Sequence, residues 1–143
     1  MAVKQLSVFV QNEKGALAEV LNAIADADIE IRALSIADTN DFGILRVITN
    51  NSEKATLALA EHHFVSSLTD VVAVRVDDAP GGLAKAVDTL QAADINVEYI
   101  YAFVGQSKNH ACVVLRVNNN EIAERTLVSA GFELITEEEI TNL

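Results

Sequence analysis

Two short stretches of this 143-residue chain carry residue types that can hold a small anion. One is Asp78-Ala79-Pro80-Gly81-Gly82-Leu83; the other is Asn12-Glu13-Lys14-Gly15-Ala16-Leu17. Each lies between a run with strand periodicity and a run with helical periodicity, so each is the turn that opens a helix. The first turn of a helix leaves backbone N–H groups without partners and carries a partial positive charge, which suits a carboxylate. Gly81 and Gly82 let the backbone come close and accept positive φ, while Pro80 restricts the approach. The side chains of Asp78 and Asn12 have two uses open to them. They can accept a hydrogen bond from a ligand ammonium, or they can cap the helix. Leu17 and Leu83 read as core anchors.

Other reactive side chains do not assemble into a site. His62-His63 and His110 are far apart and form no i, i+4 pair, so no metal is expected and the histidines read as helix-end and strand residues. Cys112 lies in an apolar strand and reads as a small core residue. Tyr99 and Tyr101 share a strand face and read as core. Arg46 and Arg116 recur between apolar strand residues and read as exposed cations. There is no nucleophile–base set, no Gly-Lys-Ser/Thr phosphate loop and no dinucleotide glycine pattern. Neither catalysis nor a cofactor is expected.

Composition narrows the partners. The net charge is -11, from 21 acidic and 10 basic residues. That field repels a phosphate backbone and an anionic membrane surface, so neither nucleic acid nor membrane is expected as a partner. Half the residues are hydrophobic and only 5% aromatic, so the core is built of Ala, Val, Leu and Ile. One cysteine excludes an internal disulfide. No run approaches the roughly 18 apolar residues of a membrane span. Met1-Ala2-Val3-Lys4-Gln5 does not resemble the basic start of a signal peptide, so a cytoplasmic location is expected.

The elements that position the turns come in a repeated order. Leu6, Val8 and Val10 alternate along a first strand. Leu17, Val20, Leu21 and Ile24 mark a helix that ends at Asp26-Ala27-Asp28. Ile29, Ile31 and Ala33 alternate in a second strand, Thr39-Asn40-Asp41 signals a turn, and 42–48 is a third strand. Asn50-Asn51-Ser52 opens a second helix reaching His62-His63, and Phe64-Val65 begins a short fourth strand. The order then repeats: a strand over 71–76, the helical stripe Leu83, Ala86, Val87, Leu90, and a strand over 95–101. A turn over 105–109 follows, then a strand over 110–117, a helix from Asn118-Asn119-Asn120 to Gly131, and a last strand over 132–135. Glu137-Glu138-Glu139 begins a polar, solvated tail.

The duplication shows in constant offsets. Gly15 and Gly81, Leu17 and Leu83, Asp28 and Asp94, and Ile29 and Ile95 are all 66 apart; Phe64 and Phe132 are 68 apart. Leu45-Arg46-Val47 and Leu115-Arg116-Val117 match at 70. The fold class is α+β: two ferredoxin-like βαββαβ units, residues 1–68 and 69–143, each an antiparallel sheet with both helices on one face. Phe9, Leu34, Ile36, Ile100 and Ala102 are expected on the other face, amid polar neighbours. That mixed face, and the small size of each half, suit pairing with a second copy.

The Asp78-x-Pro80-Gly81-x-Leu83 signature, after a first strand in such a unit, resembles the ACT domain. Two copies cover nearly the whole chain; the first, Asn12-x-Lys14-Gly15-x-Leu17, lacks the proline and the acid. The resemblance implies a stand-alone regulatory protein that binds a small molecule, most often a free amino acid. It implies a site at the interface of ACT-like units, against the strand–helix turns: Asn12, Lys14, Gly15, Ala16 and Leu17 in one, and Asp78, Ala79, Pro80, Gly81, Gly82 and Leu83 in the other. It also implies a homodimer and a metabolic enzyme or regulator as a further partner. The alternative is an assembly subunit of a metabolic enzyme whose glycine turns are purely structural.

Overall fold

The computed structural model describes residues 2–38, 42–105 and 109–143. The turns expected at Thr39-Asn40-Asp41 and at Gln106-Ser107-Lys108 lie outside the described residues. By contacts the chain forms two compact units, Lys4–Thr69 with Ile140–Leu143 and Asp70–Glu139 with Val3.

In the N-terminal unit β1 (Val3–Gln11) leads through a turn into α1 (Ala16–Asp26). Then come β2 (Ile31–Asp38), β3 (Phe42–Thr49) and α2 (Ser52–Glu61). β3 lies between β1 and β2, antiparallel to both. On the outer side of β1, Phe9 N–H donates to Val65 O (3.1 Å), just before β4 (Ser66–Asp77) begins. α1 buries Val20, Ala23 and Ile24, and α2 buries Ala55 and Leu59. All five pack into one cluster with Leu6, Val8, Val10, Leu45 and Val47, so both helices cover the same sheet face. Burying each large aliphatic side chain contributes about 2 kcal/mol.

The C-terminal unit repeats this arrangement with the rest of β4, α3 (Gly82–Ala92), β5 (Val97–Ala102), β6 (His110–Val117), α4 (Asn120–Ser129) and β7 (Glu133–Leu134). β4 is flanked by β6 and β7, and β5 pairs β6, all antiparallel. Ala86 and Leu90 of α3 and Ala123 and Leu127 of α4 join Val72, Val74, Val113, Leu115 and Val117 in its core. The chain is thus α+β, with two antiparallel βαββαβ units and helices on one face of each.

Helix ends repeat as faithfully as the core. Asn51 Oδ1 caps α2 from Lys54 N–H (3.0 Å), and Asn119 Oδ1 caps α4 from Ile122 N–H (3.1 Å). Asn50 and Asn118 brace the strand edges in the same way, accepting from Glu30 N–H (3.0 Å) and Asn96 N–H (3.2 Å).

Five expectations are corrected. The Phe64-Val65 strand and the strand over 71–76 are parts of a different layout: Phe64 and Val65 precede one continuous strand, β4. The apolar faces of β2 and β5 are assigned differently, because each strand shifts register, between Ile31 and Ala33 and between Val97 and Tyr99. A bulge adds one residue and flips the alternation beyond it. Leu34 and Ile36 therefore pair with the core residues Val47 and Leu45, and Ile100 and Ala102 with Leu115 and Val113, on the helix side. Tyr99 and Tyr101 fall on the opposite face, their rings stacked with centroids 6.4 Å apart.

The offset of 70 is the third correction. Leu6 pairs Val47 and Val72 pairs Leu115, so the offset through β3 and β6 is 115 minus 47, or 68. Leu-Arg-Val was a chemical coincidence: Arg46 corresponds to Val114 and Arg116 to Ile48. Nor is Arg116 a free cation, since it donates to Asp70 O (3.2 Å) and lies 3.8 Å from Glu98. Finally, the polar tail is a helix, α5 (Glu137–Asn142), with Ile140 fully buried. Thr136 and Glu139 form a reciprocal capping box: Glu139 N–H donates to Thr136 Oγ1 (3.1 Å), and Thr136 N–H to Glu139 Oε1 (3.4 Å).

Candidate functional site

The two glycine turns share one backbone. Ala16 N–H donates to Glu13 O (3.2 Å) and Gly82 N–H to Ala79 O (3.0 Å); Glu19 N–H donates to Gly15 O and Lys85 N–H to Gly81 O, both at 3.0 Å. Gly15 (φ 90°) and Gly81 (φ 86°) occupy the left-handed region at the helix start, where a side chain would be strained. The missing proline and acid of the first copy therefore leave its turn intact.

Neither helix has a side-chain cap. Asn12 and Asp78 are exposed and make no side-chain hydrogen bond or ion pair among the described residues, so the capping role is removed for both. In each first turn the next two N–H groups, of Leu17 and Ala18 and of Leu83 and Ala84, find no acceptor among the described residues. α2 and α4 in the same chain are capped by asparagine, so the open ends of α1 and α3 are particular to the glycine turns. Leu17 and Leu83 are not core anchors: they are 36% and 42% exposed and present an apolar group beside the open N–H groups. Lys14, Ala79 and Pro80 are exposed and Ala16 half-buried.

Gly82 differs from the rest of its turn. A Cβ built there would overlap the Asp77 carbonyl oxygen, whereas one on Gly15 or Gly81 would meet open space. Gly82 also lines a cleft of about 170 Å³ inside the C-terminal unit. The other walls are Arg75 and Asp77 at the end of β4, Lys85 of α3, His110 of β6, and the Ala130-Gly131-Phe132-Glu133 turn leading into β7. Asp78, Ala79, Pro80, Gly81 and Leu83 do not line it.

Arg75 is the fixed charge of this cleft. Its Nη1 donates to Glu133 Oε1 (3.0 Å) and its Nη2 to Glu139 Oε2 (2.5 Å). The hydrogen bond from Arg75 holds the Glu139 carboxyl below the usual carboxylate range, and Glu139 in turn raises the guanidinium pKa. Opposite Arg75 on β6 sits Cys112, half-buried rather than buried, its thiol pushed up by burial and pulled back partly by Arg75. A thiol kept protonated in this way is a poor nucleophile. Among the described residues no group of three or more His, Cys, Asp or Glu can hold a metal ion, and no helix is long and apolar enough to cross a membrane.

Arg75, Asp77, Lys85 and Glu133 have no counterpart of the same type in the first half, and His110 reads in the sequence only as a strand residue. Their signal is a difference: at the structural offsets Arg75 replaces Phe9 and Glu133 replaces Val65.

A family model described as an ACT domain pair matches residues 1–143. A protein of Bacteroides thetaiotaomicron of known structure is 38% identical, with a TM-score of 0.92 over 100% of this chain and 98% of that one. The regulatory subunit of aspartate kinase from Thermus thermophilus, ligand-free, shares the fold at 19% identity, with a TM-score of 0.66 over 90% of this chain and 92% of that one. The corresponding subunit from Thermus flavus is 20% identical, with a TM-score of 0.60 over 89% and 91%. No curated protein matches. Two βαββαβ units in register, each with an uncapped glycine turn, agree with the family model: this chain belongs to the ACT domain-pair family.

Proposed function

We propose that this chain is a non-catalytic regulatory protein that binds a free amino acid at its glycine turns, in the cytoplasm and as a homodimer. The ligand-binding residues are those of the two turns, Asn12 to Leu17 and Asp78 to Leu83, in units that divide near residue 68. The observation that carries this reading is the pair of open helix starts. Among the described residues both leave two first-turn N–H groups without acceptors, and both leave Asn12 or Asp78 unused as a cap. An α-amino acid has the matching groups, a carboxylate for the N–H pair and an ammonium for the side-chain oxygen. Family membership supports the reading, as does the fold shared with regulatory subunits of aspartate kinase. Ligand binding that shifts how the units pack is a signal a partner enzyme can read.

A ligand of about ten heavy atoms at roughly 0.5–0.8 kcal/mol per atom gains about 5–8 kcal/mol, a Kd from micromolar to sub-millimolar. Isothermal titration with each of the twenty amino acids tests this; no heat and no thermal shift with any of them would sink the reading. One observation favours the second reading, an assembly subunit. Phe9, Phe42 and Val65 are exposed together around an apolar pocket in the N-terminal unit. If Phe9→Ser and Phe42→Ser abolished association with an enzyme while no amino acid bound, that reading would replace the first.

A further inference from the structure

The glycine turns leave one surface of the N-terminal unit unexplained. Phe9 pairs Ile44 across β1 and β3, and Gln11 pairs Phe42. All four lie on the sheet face opposite the core residues Val8, Val10 and Leu45. Val65 joins them beside β1, where its carbonyl accepts from Phe9 N–H. Phe9, Phe42, Ile44 and Val65 line a hollow of about 440 Å³. Their side chains hold no polar atom, so the hollow offers no side-chain hydrogen bond to a polar ligand. Phe9, Phe42 and Val65 are 51%, 52% and 67% exposed.

The second unit treats the same place differently. At the offsets set by strand pairing, Arg75, His110, Cys112 and Glu133 stand for Phe9, Phe42, Ile44 and Val65. Arg75 there is held by Glu133 and by Glu139 of α5. The four residues of the first unit carry no charge and can make no such pair.

Charge and area select the occupant. Two copies that each carry a net charge of -11 repel wherever carboxylates meet. Beside the four apolar residues, the strand pairing puts Ser7, Gln11, Ser35, Ala37 and Arg46 on this stretch of the face. It therefore carries a cation and no carboxylate, so two acidic chains can meet there without opposing acids. The two half-exposed phenylalanines alone leave about 200 Å² bare, a quarter of the roughly 800 Å² that each partner covers in a standard interface. Val65 enlarges that apolar centre, and the neutral neighbours supply the polar rim. A two-fold contact needs a projection and a hollow on one surface, and this surface has both.

We propose that this face is where two copies of the chain pair, the hollow and rings of one packing on those of the other about a two-fold axis. The proposal rests on the homodimer reading above and gives that dimer its surface. The contact is face to face and does not use the β2 edge.

The test is sedimentation equilibrium of the full chain over a range of concentrations, with circular dichroism to confirm folding. Phe42→Glu and Val65→Glu place a carboxylate at the centre of the contact. Leu57→Glu adds the same charge to α2, where Leu57 is exposed, and Ile36→Glu adds it to the edge strand β2. The wild type should dimerise. Loss of a central apolar contact costs about tenfold, and a symmetric dimer loses it twice, so each of the first two variants should raise the dimer Kd about 100-fold or more. Leu57→Glu should leave it unchanged. A dimer equally tight in folded Phe42→Glu and Val65→Glu overturns this surface and leaves the homodimer reading standing, as does a dimer that only Ile36→Glu disrupts. Equal weakening by Leu57→Glu also overturns it, since net charge would then be the cause. A wild type that stays monomeric up to about 100 μM overturns the surface and the homodimer together. If that monomer bound an enzyme and Phe42→Glu did not, the face would belong to an unlike partner instead.

Discussion

Gly81 and Gly82 are adjacent, yet alanine at the two positions should fail for different reasons and by different amounts. At Gly81 a Cβ meets nothing within 4 Å, so the only cost is the left-handed backbone at φ 86°. That strain is about 1–2 kcal/mol, partly offset by about 0.4–1 kcal/mol from the less flexible unfolded chain. The net loss is roughly 0–1.6 kcal/mol, a fall in Tm of about 6 °C at most. At Gly82 the backbone is helical, but the Cβ would overlap the Asp77 carbonyl, which is main chain and cannot rotate away by itself. The corresponding residue, Ala16, is tolerated where Gln11 O is engaged by Glu13 N–H at 2.9 Å; among the described residues no such bond holds Asp77 O. Gly82→Ala must therefore move the Asp77–Gly82 segment, at about 1–3 kcal/mol, a typical cost of overpacking. Because Gly82 belongs to the turn proposed to bind, that movement should also weaken amino-acid binding, and by more than folded Gly81→Ala does, where the added Cβ meets open space. Urea unfolding and calorimetric titration of both variants provide the check. Equal, mild losses of stability with unchanged affinity in Gly82→Ala would refute the reasoning.

Two further outcomes follow from the same contacts. Asn51→Ala and Asn119→Ala should each lose about 1 kcal/mol in urea unfolding, whereas Asn12→Ala and Asp78→Ala should stay within about 0.5 kcal/mol, because only the first pair caps a helix. Glu139 titrates lower in the folded chain than unfolded, so its contribution is full above the unfolded carboxylate pKa of about 4.3 and is lost as pH falls through the lower folded value. The protection of α5 amides, measured against the unstructured exchange rate at the same pH, should fall across that acid window in the wild type, with Arg75, Glu133 and Cys112 as the neighbouring groups, and Glu139→Gln should be poorly protected already at pH 7.

The fold was legible because its signals are local and doubled. Strand alternation in Leu6, Val8 and Val10, the stripe Val20 and Ile24, and the asparagine helix starts all recur one unit later. What was hidden depends on register. A single bulged residue in β2 and another in β5 reverse the alternation beyond them, so Leu34, Ile36, Ile100 and Ala102 lie on the face opposite to the one that alternation predicts. α5 was hidden differently. Three consecutive glutamates read as solvated tail, while the structure-making pair is Thr136 with Glu139, and the anchor is one buried isoleucine. At the turns, residue type identified the glycines correctly but assigned Leu17 and Leu83 to the core, because a leucine in a first turn looks alike whether it packs inward or waits at a surface.

Duplication explains why the site is better found by subtraction than by matching. The asparagines that both copies keep at helix starts, Asn51 and Asn119, serve the fold, since each copy must make the same cap. A residue that one copy changes is released from that common demand. Phe9 to Arg75, Gln11 to Asp77, Glu19 to Lys85, Phe42 to His110 and Val65 to Glu133 are five such changes, and all five converge on one cavity. Two of the five have a structural use there, Arg75 and Glu133 being paired with each other and Arg75 also with Glu139, while Asp77 and Lys85 are exposed to solvent.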